Sequence, residues 1–81
     1  MAAKYNHKVT TPDGDVTNIK RNRQFPFAVI GHNDYYGFWF VEGVAADETK
    51  AQARVNSMNR PRKYGAQCTG AHMIATEVTE S

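Results

Sequence analysis

The octapeptide YGFWFVEG, residues 36–43, constrains the fold more than any other stretch of this chain. Side chains alternate between the two faces of a strand, so Phe38 and Phe40 point one way while Trp39 and Val41 point the other. Both faces therefore carry large apolar groups that need cover. Either the strand is central and covered on both sides, or one of its faces is directed outward.

Aromatic residues are concentrated around this octapeptide, since seven of the nine fall between Phe25 and Phe40. The chain has 81 residues, which is enough for one domain (1–81) and too few for two. A domain of this size buries only about 60–65% of the surface that its unfolded chain exposes, so large side chains must supply much of its stability. The aromatic segment is therefore the centre of the core, a contact surface, or both.

The N-terminal residues predict a β-hairpin. Tyr5, His7 and Val9 alternate with polar residues, which is the period of a half-buried strand. Residues 12–14, Pro-Asp-Gly, provide the chemistry of a turn, because proline presets φ and glycine accepts a positive φ.

The return strand of this hairpin is predicted from Val16 to about Ile19. These two apolar residues do not share a face, which indicates a bulge or a short strand there. Two further strands are predicted over 25–31 and 37–45, joined by a polar loop.

Residues 46–61, ADETKAQARVNSMNRP, are typical of a helix that begins after Asp47 as N-cap. Pro61 disfavours helical geometry at the preceding residue, so the helix is expected to end near Asn59. The residues that recur with helical period form an apolar stripe of Ala51, Val55 and Met58. We expect this stripe to rest on one face of a sheet.

Residues 65–79 return to the alternation of a strand, with one side formed by His72, Ile74, Thr76 and Val78. The order β-β-β-β-α-β predicts an α+β domain, a mostly antiparallel sheet of four to five strands with one helix packed on one face. Because one helix covers only one face, part of the aromatic surface is expected to be exposed, and an exposed apolar patch usually marks a contact site.

Cys68 is the only cysteine, which excludes an intramolecular disulfide and a four-cysteine zinc site. A reducing, cytoplasmic location is the simplest interpretation. The chain begins without a signal-peptide pattern, and no segment approaches the ~18 apolar residues of a membrane span. We therefore expect a soluble protein without a membrane partner.

The net charge of +2 is too small for a protein that coats DNA. Six of the ten cations, however, lie in two short clusters, KRNR at residues 20–23 and RPRK at residues 60–63. If the clusters converge in space, they form a cationic edge for phosphates or for an acidic protein surface.

The residue types that carry catalysis do not form a recognisable pattern. Cys68 and His72 would lie about 13 Å apart on a strand, beyond hydrogen-bond reach. His32 and Asp34 have no nucleophile near them in the sequence, and neither a phosphate-binding loop nor an HExxH motif is present. The chain is therefore expected to be no enzyme and to have no catalytic residues, metal ligands or cofactor.

The octapeptide resembles the aromatic strand motif of RNA-recognition-motif domains, [KR]-G-[FY]-[GA]-[FY]-[ILV]-x-[FY]. The positions that match are Gly37, Phe38, Phe40 and Val41. The positions that depart from it are Tyr36, Trp39 and Gly43. The predicted helix also follows as in that family, but residues 1–35 lack the first helix of its fold. The resemblance implies that rings of this strand stack on bases.

By size, architecture and lack of motifs, the chain also resembles small phage-encoded proteins that disarm host machinery, of which the anti-CRISPRs are the best-known group. The group shares no motif, so no functional residue is carried over. The resemblance implies a non-enzymatic inhibitor that docks on a host protein or nucleoprotein complex and blocks DNA access; it leaves the oligomeric state open. The residues predicted to contact the partner are Lys20, Arg21, Arg23, Tyr35, Tyr36, Phe38, Trp39, Arg60, Arg62 and Lys63.

The alternative is a small module that binds single-stranded nucleic acid, with aromatic rings stacked on bases and the Arg/Lys clusters holding phosphates. Steep salt dependence is its expected signature.

Overall fold

The structure is a computed structural model that describes residues 3–60 and 68–80. The elements are β1 (Tyr5–Thr10), β2 (Val16–Arg21), β3 (Phe27–Asn33), β4 (Phe38–Ala45), α1 (Glu48–Met58), β5 (Cys68–Ala75) and β6 (Glu77–Glu80). The predicted α+β class is confirmed. The strands do not form one sheet, however, but two antiparallel sheets of three, in the orders β2-β1-β6 and β4-β3-β5.

Thr76 explains why the last predicted strand is divided between the two sheets. Its N–H donates to the carbonyl of Pro26 at 3.0 Å, and its hydroxyl donates to the carbonyl of Phe25 at 2.7 Å. These two bonds fix the chain where it leaves β5 in the second sheet and enters β6 in the first. The alternation continues through the crossing, because Ile74 packs between the sheets and Val78 pairs with His7 on β1.

The two sheets and the helix form three layers, with one core between each two adjacent layers. Between the sheets, the fully buried residues are Val9, Ala28 and Ile30, against which Ile19, Trp39, Val41, Val44 and Ile74 pack. Between the second sheet and the helix, the buried residues are Val29, Ala45, Ala51, Val55, Met58 and Ala71, with Phe27, Phe40 and Met73 beside them. Strand β4 is therefore covered by the first sheet on its Trp39 side and by the helix on its Phe40 side.

The helix begins and ends where the sequence predicts. The Asp47 carboxylate accepts the N–H of Lys50 at 2.8 Å as an N-cap. The predicted apolar stripe is buried along its whole length. At the other end Asn59 is the C-cap, and its amide makes two bonds with Ala71 of β5: Nδ2 donates to the carbonyl at 3.1 Å and Oδ1 accepts the N–H at 3.1 Å. These bonds hold the end of the helix on the second sheet.

The hairpin of β1 and β2 is regular and β2 runs on to Arg21, so neither the predicted bulge nor the predicted short strand is found. The register runs without a shift from Tyr5 opposite Arg21 to Thr10 opposite Val16. Val16 lies on the outer face of the first sheet and is 50% exposed, so it need not share a face with Ile19. The bulges lie in the second sheet instead, where the pairing of β3 with β4 and with β5 shifts by one residue.

His7 is fully buried and connects the first sheet to the chain that enters β3. Its Nε2 accepts the backbone N–H of Phe25 at 2.9 Å. Because an N–H can only donate, Nε2 carries no proton, and Nδ1 must therefore carry it and donate to the carbonyl of Ile19 at 3.0 Å. The imidazole is thus satisfied at both nitrogens.

Candidate functional site

Three exposed aromatic rings lie together at the end of the β3–β4 hairpin, a surface that we call the aromatic tip: Tyr35, Tyr36 and Phe38. Their exposed fractions are 79%, 70% and 46%, respectively. The rings contact one another, with Tyr35 and Tyr36 edge to face at 4.9 Å and Tyr36 and Phe38 stacked at 5.9 Å between centroids. None of the three belongs to either core cluster. The aromatic tip is therefore apolar surface that the described part of the fold leaves in solvent.

The turn that carries the aromatic tip is held by Asn33. Its side-chain oxygen accepts the N–H of Tyr35 and of Tyr36, both at 3.0 Å, and its carbonyl accepts the N–H of Gly37 at 2.8 Å. Gly37 has φ of +74°, a conformation that glycine adopts without steric cost. These bonds fix the backbone under the rings.

Trp39 is set back from the aromatic tip and lies between two imidazoles. Its indole makes edge contacts with His32 at 5.2 Å and with His72 at 5.7 Å between centroids. Since Trp39 is on β4 and His72 on β5, the indole reaches across β3. A Cβ at Gly70 would lie 3.6 Å from the indole. Of the four predicted aromatic contact residues, Trp39 is the one that helps to fill the core between the sheets.

The basic residues of the first cluster lie at the other end of the molecule, beside Lys4; we call Lys4, Lys20, Arg21 and Arg23 the cationic end. Arg21 pairs with Tyr5 at the start of β1. The guanidinium of Arg23 lies over the ring of Phe25 at 5.9 Å, and the ammonium of Lys4 lies over the ring of Tyr5 at 5.6 Å. All four cationic residues are exposed.

The register separates the cationic end from the aromatic tip. Phe25, which Arg23 contacts, precedes β3, whereas the aromatic tip follows the far end of that strand. A seven-residue strand spans about 20 Å. The β1–β2 hairpin runs the same way, because His7 of β1 contacts Phe25, and Val9, farther along β1, packs with Ala28 and Ile30, farther along β3. The molecule measures 40 × 26 × 22 Å, in keeping with two ends set well apart.

The second predicted basic cluster is described only at its first residue. Arg60 is exposed and follows the helix C-cap, which the bonds between Asn59 and Ala71 hold toward the half of the second sheet that carries the aromatic tip. Arg62 and Lys63 lie outside the described residues.

Carboxylates accompany the aromatic tip. Asp34 is in the same turn, where its oxygen lies 3.1 Å from Nδ1 of His32. Asp13 and Asp15 are in the turn between β1 and β2. The pKa of Asp13 is lowered from its ordinary 3.8, chiefly by the hydrogen bond that the Thr11 hydroxyl donates to it. The surroundings of the aromatic tip therefore include fixed negative charge at neutral pH.

Two groups of residues escaped prediction from the sequence. Lys4 and the ring of Tyr5 reach Arg21 only because β1 pairs with β2. Phe25, in contrast, is only two residues from Arg23, whose guanidinium lies over its ring. The contacts of Trp39 with two histidines also depend on strand order alone. The sequence signal for the cationic end was the closeness of cationic and aromatic residues in KYNHK (residues 4–8) and RQF (residues 23–25).

Within residues 3–60 and 68–80, no three His, Cys, Asp or Glu side chains are grouped so that they could hold a metal ion. In the same residues, no helix has the length and apolar character to cross a membrane. Comparison of the chain with protein-family models, curated proteins and solved structures found no match.

Proposed function

We propose that this chain is a small, non-enzymatic binding protein that docks on a protein surface through the aromatic tip. The partner class that fits the resemblance to phage-encoded inhibitors is a host defence nucleoprotein complex, which the docked protein would keep from its DNA. The observation that carries the proposal is the group of three adjoining rings at the end of the β3–β4 hairpin, which stand outside both cores.

The exposure of these rings supports binding because none of the three packs in a core of the described residues. The rings contact one another, and such pairs contribute roughly 0.5–1.5 kcal/mol each beyond the area they bury. Tyrosine is also enriched among the residues that dominate the affinity of protein interfaces. Two exposed tyrosines beside a phenylalanine form the kind of centre that such interfaces have.

The fixed turn supports the same proposal. Ordering a mobile side chain on binding costs about 0.5–1.5 kcal/mol, and ordering its backbone costs more. The three bonds that Asn33 accepts remove the backbone part of this cost before the partner arrives. The aromatic tip is therefore presented in a preorganised form.

The charges around the aromatic tip favour a protein over nucleic acid as its partner. Stacking of bases on the rings would bring phosphates toward Asp34. Among the predicted basic contact residues that the structure describes, only Arg60 lies toward this end. The cations that would neutralise phosphates are gathered at the cationic end. Protein interfaces, in contrast, tolerate rim carboxylates around an apolar centre.

The proposal is tested by affinity capture from a lysate of a plausible host, with nuclease added to a parallel sample. The probe is the full chain, and the test variant replaces both Tyr36 and Phe38 by serine. We expect wild type to retain a specific protein partner after nuclease treatment and the variant to lose it. Thermal unfolding of the variant should change by only a few degrees, because neither ring packs in a core.

The matched control replaces Val16, an exposed apolar residue of the first sheet, by serine. This control should capture the same partner as wild type. Retention of the partner by the Tyr36→Ser, Phe38→Ser variant would reject the aromatic tip as the docking surface. Loss of the partner on nuclease treatment would favour the single-stranded nucleic-acid alternative.

A further inference from the structure

The cationic end gathers four positive charges from three separate parts of the sequence. Lys4 precedes β1, Lys20 and Arg21 end β2, and Arg23 lies in the segment leading to β3. The pairing of Tyr5 with Arg21 and of Asn6 with Lys20 brings the first two parts together. The contact of Phe25 with the His7 ring, at 5.7 Å, brings the third part against β1.

These charges are not neutralised by the described part of the protein. Within residues 3–60 and 68–80, none of the four forms an ion pair; the two pairs present are between Lys8 and Glu77 and between His32 and Asp34. Glu80 lies opposite Tyr5 in the register and still makes no ion pair with Arg21, the other strand partner of Tyr5. Lys20 and Arg21 are consecutive on β2 and extend to opposite faces of the hairpin, so the four cations together give its end a positive potential that attracts an external anion.

Two of the cations are positioned by aromatic rings. The ammonium of Lys4 lies over the ring of Tyr5 and the guanidinium of Arg23 over the ring of Phe25. A cation over a ring is attracted to its π-face. One face of each ring is thereby occupied, so the rings hold charges in place instead of offering a platform to bases. The Arg21 guanidinium is likewise anchored, by donating to the carbonyl of Lys20 at 2.8 Å.

The surroundings of the cationic end indicate which class of polyanion it would bind. The exposed large apolar side chains of the described residues are Val16, beside the β1–β2 turn, and the three rings of the aromatic tip. The cationic end thus offers nothing that would insert into a lipid bilayer, and it lacks the apolar centre of a protein interface. Arginine and lysine without a large exposed apolar side chain beside them are instead typical of contacts to the phosphates of nucleic acid.

We propose that the cationic end is a second binding site, which takes the phosphodiester backbone of duplex nucleic acid without reading its sequence. It is independent of the aromatic tip and lies at the other end of the molecule. With both sites occupied, the protein would contact a protein surface at one end and the duplex at the other. The two proposals can fail separately.

The test is fluorescence anisotropy of the full chain with a labelled duplex of about 20 base pairs, titrated between 50 and 200 mM salt. Four neutralised phosphates predict a slope of log K against log salt of about −3.6, which is a loss of roughly 150-fold in affinity over that range. Replacing Arg21 and Arg23 by glutamine should reduce the slope to about −1.8. Scrambling the duplex sequence should leave the affinity unchanged.

The matched control replaces Lys50 and Arg54 by glutamine. Both residues are exposed on α1, and the change in net charge is the same. This control, and the Tyr36→Ser, Phe38→Ser variant, should retain the wild-type slope. An equal loss of slope in the helix control would show that only net charge matters and would overturn the site.

Three further outcomes would also overturn the proposal. One is the absence of binding at 50 mM salt. Another is tighter binding of a single strand of equal length that depends on Tyr36 and Phe38, since stacking would then be the mode of binding. The third is binding of mixed phosphatidylserine and phosphatidylcholine vesicles that is as tight as binding of the duplex, since the site would then be a general anion surface. Binding of the duplex with a salt slope that falls by about half on replacing Arg21 and Arg23 would support it.

Discussion

Replacement of His7 by phenylalanine should destabilise the fold strongly, although the ring that replaces imidazole is larger and more apolar. His7 is fully buried and joins one backbone carbonyl and one backbone N–H that belong to different parts of the chain. Phenylalanine fills the site but leaves the carbonyl of Ile19 and the N–H of Phe25 without their partner. The perturbation therefore removes both hydrogen bonds while an aromatic ring still occupies the site.

The expected size of the effect follows from these two bonds. A buried polar group left without a partner costs about 1–3 kcal/mol. Because both bonds of His7 are only partly buried, water can relieve some of this cost, and the lower half of the range applies to each. We expect a total of about 2–4 kcal/mol, against a whole stability of roughly 4–12 kcal/mol for a domain of this length.

Thermal unfolding followed by circular dichroism measures this loss. For a domain of this size, 1 kcal/mol shifts Tm by about 4–8 °C, so the His7→Phe variant should unfold at least ~10 °C below wild type. Val9→Ala is the control for packing, because Val9 is fully buried on the same strand and its loss removes only apolar volume, at about 2 kcal/mol. A His7→Phe variant that unfolds within a few degrees of wild type would refute the assignment of stability to the two hydrogen bonds.

Three further perturbations test other parts of the fold. Asn59→Ala removes both bonds to Ala71 and should lower the free energy of unfolding in urea by about 1–3 kcal/mol; an unchanged midpoint would contradict this role. Gly70 has φ of +64°, so Gly70→Ala should cost roughly 1 kcal/mol in the same assay, although its Cβ would meet its nearest neighbour at an ordinary 3.6 Å. The pKa of Asp13 is lowered in the fold, so its contribution to stability is present above its ordinary 3.8 and is lost as the pH falls through the lower folded value. Asp13→Asn should therefore flatten the decline in Tm below about pH 4, and an unaltered decline would argue against the hydrogen bond from Thr11.

Local elements were predictable because their signals are local. The cap at Asp47 and the stripe that begins at Ala51 define the helix within a few residues, and the Pro-Asp-Gly turn defines the first hairpin. The alternation around Thr76 predicts a single strand, since a crossing between sheets leaves the period of two intact. Only the bonds of Thr76 to the segment before β3 show where the chain changes sheets.

The candidate site was predictable to a similar extent. Tyr35 and Tyr36 lie in a polar loop, and their exposure agrees with the expected surplus of aromatic surface. The sequence predicts Trp39 among the contact residues because it shows only one helix as cover, whereas in the structure a second sheet covers this ring. The convergence of Arg21 with Lys4 could not be read from the sequence, since it depends on the register of β1 with β2.

Residue types and their spacing alone determined the first four strands, the helix with both of its ends, and the presence of more aromatic surface than one helix covers. Tertiary structure alone decided that a second sheet covers one side of β4, that three rings remain outside, and that the first basic cluster lies at the opposite end from them. The physical reason is that backbone hydrogen bonds and side-chain periods act between near neighbours, whereas burial and charge neutralisation depend on which distant segments the packed chain brings into contact.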